Sequence, residues 1–244
     1  YDIPFPLAPI LAALGATVLG LLVGLPALRV RGTNLAIVTL AGGVTIAEFV
    51  FKNPSLIGDI ESGGAKVPNP SLGDWDFGLV FGTKTSRPIF GIFLACILLV
   101  LALLVANVRR SSSGRIMLAV RGNERAAAAI GINVTGVKML TFGLSSFIAG
   151  VGGTLIAYRF GAVSDLSYGT MASLTALSVA YLGGITSVSG AITAGITATA
   201  GIAFYGMSQI IGSLGTWEAF IGGVLLIFTA IANPEGIAGA IRQQ

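Results

Sequence analysis

Residues 88–108 read PIFGIFLACILLVLALLVANV, 21 consecutive positions without a charged side chain. A helix needs about 20 such residues to cross the hydrocarbon core of a bilayer, so this stretch predicts a membrane-spanning helix. The whole chain has a matching composition: 54% of its 244 residues are hydrophobic and only 10% are charged, against about 25% charged in ordinary soluble domains. The sequence therefore predicts an all-α fold, a polytopic bundle of membrane helices.

Outward from residues 88–108, other apolar stretches predict about seven spans in a single transmembrane domain, residues 1–244. The predicted spans are residues 3–28, 34–51, 88–108, 139–158, 166–182, a following segment up to Trp217, and 217–232. The 52 residues from Leu166 to Trp217 hold two spans separated at Gly183-Gly184-Ile185-Thr186-Ser187, because paired glycines and small polar residues weaken a helix. Residues 166–182 could instead form a half-helix that enters the membrane and returns.

The charged residues orient this bundle. Nine of the 14 Lys and Arg side chains fall on one side, six of them in residues 109–138, and five fall on the other. Because basic residues concentrate in cytoplasmic loops, we expect residues 109–138 to be a cytoplasmic loop, residues 52–87 an external loop, and the C-terminus cytoplasmic. The same rule accounts for the net charge of +4, so we expect no nucleic-acid partner.

The chain lacks the side chains that most catalytic and metal sites use. It contains no His and one Cys, Cys96, which lies inside the apolar run 88–108. The sequence therefore excludes a Cys/His zinc cluster, a Cys–His nucleophile and an internal disulfide. We expect neither an enzyme nor a metal site, and we expect Cys96 to be an inert thiol in the core or facing lipid.

The cytoplasmic loop contains one amphipathic helix, predicted from Arg115 to Ile130 and ended by Gly131. Its charged residues interrupt an apolar set at Ile116, Val120, Ala127 and Ile130. The apolar face could rest on the lipid surface with the arginines near anionic headgroups, pack on the ends of its own bundle, or dock in a groove of a soluble partner. The residues alone leave these three interpretations open.

Polar groups inside the spans are the candidates for a solute pathway, because they are costly in lipid unless they face the bundle interior or water. Glu48 is the only ionisable side chain placed inside a span; it contacts a solute amino group or a second subunit, or else it is hydrated at the external boundary. The break at Gly183 and Gly184 is the strongest candidate, since broken helices occur near transport sites. The full candidate set is Thr39, Glu48, Ser145, Ser146, Tyr181, Gly183 and Gly184.

The small and hydroxyl residues of the fourth predicted span also have a structural interpretation. They form two rows at four-residue spacing, Ser145-Ala149-Gly153 and Ser146-Gly150-Thr154. Such rows let two helix backbones approach closely, and hydroxyls in membrane helices often bond to a backbone. We therefore expect these rows to be packing surfaces.

Four segments occur in an order that is typical of one family: LPALRVRGTNLAIVTLAGG (25–43), AVRGNERAAAAIGINVTGVKMLTFGLSSFIAGVGGTLIAY (119–158), LGGITSVSGAITAG (182–195) and NPEGIAG (233–239). Together they resemble the bacterial ABC-importer permeases of the branched-chain amino acid type, and the LivM-like subunit more than its LivH-like partner. The chain departs from the family pattern at Thr33-Asn34, Val44 and Thr186. These positions are in or beside the membrane, so they bear on the solute more than on the architecture.

The resemblance implies that the loop helix is a coupling helix docked in a cleft of a cytoplasmic ATPase. The coupling residues that it implies are Arg115, Arg121, Asn123, Glu124, Arg125, Ala126, Ala127 and Gly131. It also implies two ATPase subunits that use ATP, a second homologous permease subunit, an external solute-binding protein, and a place in the bacterial cytoplasmic (inner) membrane. The chain has no G-x-x-x-x-G-K-[ST] motif, so we expect it to bind no cofactor and hydrolysis to occur on the partners.

The implied function is a permease subunit that moves a small polar solute inward without catalysis of its own. Branched-chain amino acids are the first expectation for that solute, with urea and short amides open. The alternative is a stand-alone secondary transporter or channel. Ion-coupled carriers commonly use several ionisable residues within the membrane, and only Glu48 is placed there.

Overall fold

A computed structural model of the chain describes residues 5, 7–27, 33–51, 53, 65–68, 70–72, 75–76, 88–163, 168–185, 187–198 and 224. Apart from Val224, the last predicted span, residues 217–232, lies outside the described residues. The motif 233–239, the C-terminus and most of the external loop 52–87 lie outside them as well. The chain divides into two compact units, Tyr1–Gly169 and Thr170–Gln244.

The described residues are mostly helical, as predicted. The helices are α1 (Leu7–Ala27), α2 (Thr33–Ile46), α3 (Pro88–Arg110), α4 (Ser112–Gly122), α5 (Glu124–Ala129), α6 (Val134–Phe160), α7 (Thr170–Gly183) and α8 (Val188–Thr197). A π-helical turn, Ala47–Phe51, continues α2. The departure from an all-α fold is four two-residue strands, β1 (Ala65–Lys66), β2 (Ser71–Leu72), β3 (Trp75–Asp76) and β4 (Ala162–Val163).

Within the described residues, three helices are long and apolar enough to cross a bilayer: Leu7–Pro26 in α1, Ile89–Arg110 in α3 and Val134–Phe160 in α6. They correspond to the predicted spans 3–28, 88–108 and 139–158. The helix Ile37–Val50, in the second predicted span, is apolar but shorter. The described residues therefore contain three candidate spans, and the predicted total of seven is not reached among them.

Helices α7 and α8 meet at a sharp bend of 117°. Because α7 ends at Gly183 and α8 begins at Val188, the break lies where the sequence predicts it. Helix α7 has 14 residues and is about 21 Å long, which is shorter than the ~30 Å hydrocarbon core. The pair is a broken span or a re-entrant loop, which is the alternative that the sequence leaves open for residues 166–182.

Helices α1 and α6 pack against each other in antiparallel orientation, with Ala13 beside Gly150 and Gly20 beside Ser146. A Cβ atom added to Gly150 would lie 2.7 Å from the Ala16 Cβ and 2.9 Å from the Ala13 Cα, which is closer than real Cβ atoms come. Small residues are common where membrane helices meet, because they let the backbones approach. Two members of the second predicted row, Ser146 and Gly150, therefore do form a packing surface.

Contacts at one end of this unit bring several predicted external segments together. Strands β1 and β4 pair in antiparallel register, which joins residues 65–66 to residues 162–163. The Phe5 ring packs edge to face on the rings of Phe93 and Tyr158, with centroids 5.6 and 6.0 Å apart. The start of α1, the first turns of α3 and the end of α6 therefore lie on one side, together with β1. This is the grouping that the charge distribution predicts for the external side.

Replacement of Gly150 tests the close approach of α1 and α6. Gly150→Ala should lower the melting temperature of the detergent-purified chain, because overpacking typically costs about 1–3 kcal/mol. Gly152→Ala on the same helix is the matched control, since nothing lies within 4 Å of a Cβ at Gly152. Thermal unfolding followed by circular dichroism measures both variants. An equal melting temperature for the two would contradict the packing described here.

Candidate functional site

The cytoplasmic loop folds as two helices rather than the single helix predicted from Arg115 to Ile130. Helix α4 ends at Gly122, α5 begins at Glu124, and Asn123 between them has an extended backbone (φ −156°, ψ 107°). The Asn123 Oδ1 accepts hydrogen bonds from the N–H groups of Arg125 (3.0 Å) and Ala126 (3.1 Å). Asn is a strong N-cap because its side chain satisfies these otherwise unpaired donors. The prediction of one uninterrupted helix was therefore wrong at Asn123.

One residue defines each end of the loop, Ser111 at its start and Gly131 at its end. Ser111 accepts a hydrogen bond from the Gly114 N–H at 3.3 Å and caps α4 directly after α3. At the other end, Gly131 has a left-handed backbone (φ +86°), and the Ile132 N–H donates to the Ala127 carbonyl at 3.1 Å. A glycine in this conformation commonly ends a helix, so the predicted role of Gly131 is confirmed.

The apolar residues of the loop helices divide between two surfaces. Val120 and Ala127 are 5% and 3% exposed, so this part of the predicted apolar set faces the chain's own bundle. Ile116 and Ile130, the other two members of the set, are 36% and 76% exposed in the chain by itself. The interpretation in which the helix packs on its own bundle therefore holds for the inner surface, and the outer surface is left for another contact.

We call the exposed surface of α4, α5 and the residue after them, Ile130, the loop face. It combines exposed bases with exposed apolar side chains: Arg115, Leu118, Arg121, Arg125 and Ile130. Arg115, Leu118 and Arg121 follow one another at three-residue spacing, which makes them neighbours along a helix surface. The Arg115 Nη2 donates to the Ser112 Oγ at 3.2 Å, within the same helix.

Glu124 points back toward its own chain. Its Oε1 accepts from the Lys138 Nζ at 2.7 Å, and the side chains are 38% and 25% exposed respectively. Glu124 is the first residue of α5 and Lys138 lies in the second turn of α6, so the ion pair joins the loop to a candidate span. The predicted coupling residues thus separate: Arg115, Arg121 and Arg125 are on the loop face, whereas Glu124 pairs internally.

The other predicted coupling residues have structural positions around Asn123 and the turn. Ala127 is buried, Ala126 is exposed and donates its N–H to Asn123, and Gly131 ends the loop helices. These three shape the loop, while the charged side chains provide its surface chemistry.

Four pathway candidates lie in the unit of residues 1–169. Thr39 is half-buried in α2, and Glu48 is exposed in the π-helical turn after it. Ser145 is exposed and donates to the Phe142 carbonyl at 2.9 Å, and Ser146 is half-buried against α1. For both serines the structure shows the backbone-bonding and packing roles that the sequence offers as the alternative to a pathway.

The remaining candidates lie in the unit of residues 170–244. Tyr181 is 55% exposed, while Gly183 and Gly184 are buried. Gly184 has a positive φ of 111°, a conformation that favours glycine. A Cβ on Gly183 would lie 2.5 Å from the Ala194 backbone nitrogen. The two glycines therefore let α7 and α8 pack closely at the bend.

Two polar backbone groups at this bend are bonded to side chains within the hairpin. The Thr193 Oγ1 donates to the Gly183 carbonyl at 2.9 Å, and the Ser187 Oγ accepts from the Gly190 N–H at 2.9 Å and caps α8. The sequence places both residues in the segment 182–195 but does not give the hydrogen-bond partner of either. For Ser187 the signal is a hydroxyl directly before a helix; for Thr193 no local signal exists, because its partner is ten residues away.

No group of three or more His, Cys, Asp or Glu side chains that could hold a metal ion occurs among the residues that the structure describes. The single thiol, Cys96, is exposed on α3.

The chain matches the family described as branched-chain amino acid transport system / permease component over residues 1–230. It belongs to this family. The family is a permease component of a transport system and not an enzyme family.

Relatives of this permease agree with that assignment. The high-affinity branched-chain amino acid transport system permease proteins LivM of Salmonella typhimurium (strain LT2) and Escherichia coli (strain K12) are 36% and 35% identical to it over 185 residues, 69% of this chain and 43% of each relative. The probable ABC transporter permease protein YphD of Escherichia coli (strain K12) is 38% identical over 115 residues, 43% of this chain and 32% of that one. The matched region thus spans less than half of each LivM protein. No solved structure matches the permease significantly.

Substitution of Gly183 tests whether the hairpin needs close backbone contact. In this permease, Gly183→Ala should loosen the packing of α7 on α8 and lower the temperature at which detergent-purified protein loses its monodisperse peak in size-exclusion chromatography. Gly195→Ala in α8 is the control, because nothing lies within 4 Å of a Cβ there. A Gly183→Ala variant that is as stable as Gly195→Ala would rule out the tight hairpin.

Proposed function

We propose that this chain is the permease subunit of an ATP-driven importer that moves a small polar solute inward across a bacterial cytoplasmic membrane. Membership of the permease family and three candidate spans support a transport role. The loop face is the observation that supports ATP-driven coupling, because it offers a cytoplasmic partner both charge and apolar anchors beside the ends of the spans. Two ATPase subunits would use ATP there, and the chain itself would bind no cofactor.

A soluble partner fits the loop face better than a lipid surface does. Helices that lie on a membrane bury a broad apolar face and turn their bases outward. In this loop the residues buried deepest, Val120 and Ala127, face the chain's own bundle, and Leu118 and Ile130 stand among exposed arginines. A mixed surface of a few apolar anchors and several bases is typical of a protein contact.

The charge of the loop face indicates the chemistry of its partner. The only acid in residues 109–138 is Glu124, and Lys138 neutralises it. The exposed charges that remain on the loop face are Arg115, Arg121 and Arg125. Complementary potentials steer association and fix orientation, so the receiving cleft of the ATPase should be acidic at its rim and apolar at its centre.

The solute is proposed to be a branched-chain amino acid, with urea or a short amide as related possibilities. The printed function of the two LivM relatives, branched-chain amino acid transport, supports the first of these. In this proposal an external solute-binding protein delivers the solute and a second homologous permease subunit completes the pathway. In the unit of residues 1–169, Thr39 and Glu48 are the proposed pathway positions, and Glu48 would face a solute amino group.

Co-purification tests the proposed assembly. The tagged chain, extracted from its native membrane in mild detergent, should bring down an ATPase subunit and a second permease subunit. Solute uptake by the same cells should stop when ATP is depleted and continue when only the ion gradient is collapsed. Recovery of the chain by itself, with uptake that depends on the ion gradient, would instead establish a secondary transporter.

A charge reversal on the loop face tests where the ATPase docks. Arg125→Glu should weaken ATPase retention about tenfold or more, since about 1.4 kcal/mol of lost interaction corresponds to a factor of ten. Raising the salt concentration should weaken retention by the unmodified chain in the same direction, because exposed charges are screened. Retained ATPase measured by quantitative immunoblot gives both values.

Arg159→Glu is the control for that experiment. Arg159 is an exposed arginine at the opposite end of α6, on the side predicted to be external. Its reversal should leave ATPase retention unchanged. Equal losses for the two variants would show that net charge, and not a contact at the loop face, governs retention.

A further inference from the structure

The loop helices contact the spans beside a cavity. This cavity of about 460 Å³ lies between α4 and the first turns of α6. Its lining comes from Ser113, Ile116 and Met117 on α4 and from Gly136, Val137 and Leu140 on α6. Helix α4 packs on α6 beside this cavity, so the loop helices meet α6 at more than one place.

The contact of α5 with α6 is a second link, and it contains an ion pair. Glu124 in the first turn of α5 and Lys138 in the second turn of α6 form the 2.7 Å ion pair. On the same short helix, Ala127 is buried and its carbonyl accepts the Ile132 N–H at 3.1 Å. The ion pair is thus a side-chain bridge across the turn at Gly131, beside the backbone connection itself.

We propose that Glu124 is a positioning residue that holds α5 to α6 through Lys138, so that a push on the loop face by the ATPase moves α6. The proposal rests on the proposed function, since it assumes an ATPase at the loop face. It departs from the sequence-based expectation for Glu124, which places that acid against the ATPase. Arg125, the next residue, is exposed. In this proposal Arg125 contacts the ATPase, while Glu124 holds α5 to α6.

Two physical features suit the ion pair to this role. The carboxylate of Glu124 lies at the N-terminal end of α5, where the helix dipole favours negative charge. The Lys138 side chain is 25% exposed and the Glu124 side chain is 38% exposed. The pair therefore adds little to the stability of the free chain. A partner that covers the loop face excludes water and lowers the local dielectric, which strengthens the attraction. The bridge is therefore strongest when the ATPase is bound.

The span that receives the push is well placed to transmit it. Helix α6 contacts α1 through glycine and alanine at Gly150, Ala13 and Ala16. Close packing of this kind makes helices move as bodies and not by local deformation. A displacement at Lys138 therefore moves the α1–α6 pair together.

The test uses the complete transporter in proteoliposomes, with binding protein and leucine as the probe solute. Glu124→Gln and Lys138→Gln remove the ion pair from either side, and Lys138→Arg preserves the charge. Each variant is assayed for ATPase retention, for ATP hydrolysis and for leucine molecules transported per ATP hydrolysed. Arg125→Gln serves as the comparison for loss of docking.

Both single neutral variants should retain the ATPase and should transport less leucine per ATP, by about fivefold or more, the size of a typical coupling between sites. The double variant Glu124→Gln/Lys138→Gln should be no worse than either single variant, because residues that act through one shared contact are not additive. Lys138→Arg should keep the unmodified ratio. Arg125→Gln should lose ATPase retention instead.

Four results would overturn the inference and are distinguishable from one another. Loss of the ATPase in Glu124→Gln but not in Lys138→Gln would place Glu124 at the partner. Unchanged transport per ATP in both single variants, or multiplied losses in the double variant, would show that the pair transmits nothing. Failure of the unmodified chain to retain any ATPase would contradict the proposed function itself, and this inference with it.

Discussion

The close approach of α1 and α6 is the contact on which the first compact unit depends. In a bilayer the lipid tails are as apolar as leucine, so helix association relies on packing and on interhelical polar contacts. Gly150 against Ala13 and Ala16, and Gly20 against Ser146, provide that packing without large side chains. Because α6 follows the loop helices in the chain and α1 packs along it, the proposed movement of the loop would reach both helices.

The loop helices show how one short segment can carry two surfaces. Asn123 interrupts the helix and restarts it as α5, which changes the direction of the side chains that follow. Val120 and Ala127 turn inward, the arginines and Ile130 turn outward, and Glu124 reaches across to Lys138. The surface proposed to bind a partner and the ion pair proposed to link the loop to a span thus occupy neighbouring positions.

A few residues likewise stabilise the bend between α7 and α8. Backbone groups freed by a broken helix need partners when water is excluded. Thr193 and Ser187 supply two of them from within the hairpin, and Gly183 and Gly184 provide the space. The same glycines that mark a possible transport site in the sequence are required here for packing, so their presence by itself does not identify a pathway.

The sequence by itself determined the membrane class, three of the spans, the position of the break after Gly183 and the end of the loop at Gly131. Each of these follows from local properties: the length of an apolar run, or the backbone freedom of glycine. The exposed arginines of the candidate site were also predictable, since Arg115, Arg121 and Arg125 stand in an otherwise apolar sequence. Only the tertiary structure decided that Glu124 pairs with Lys138 and that Ile116 and Ile130 are exposed. It also decided that the Thr193 hydroxyl donates to the Gly183 carbonyl. These depend on residues brought together across a turn or a helix pair, and hydrophobic periodicity along one helix carries no information about the partner it meets.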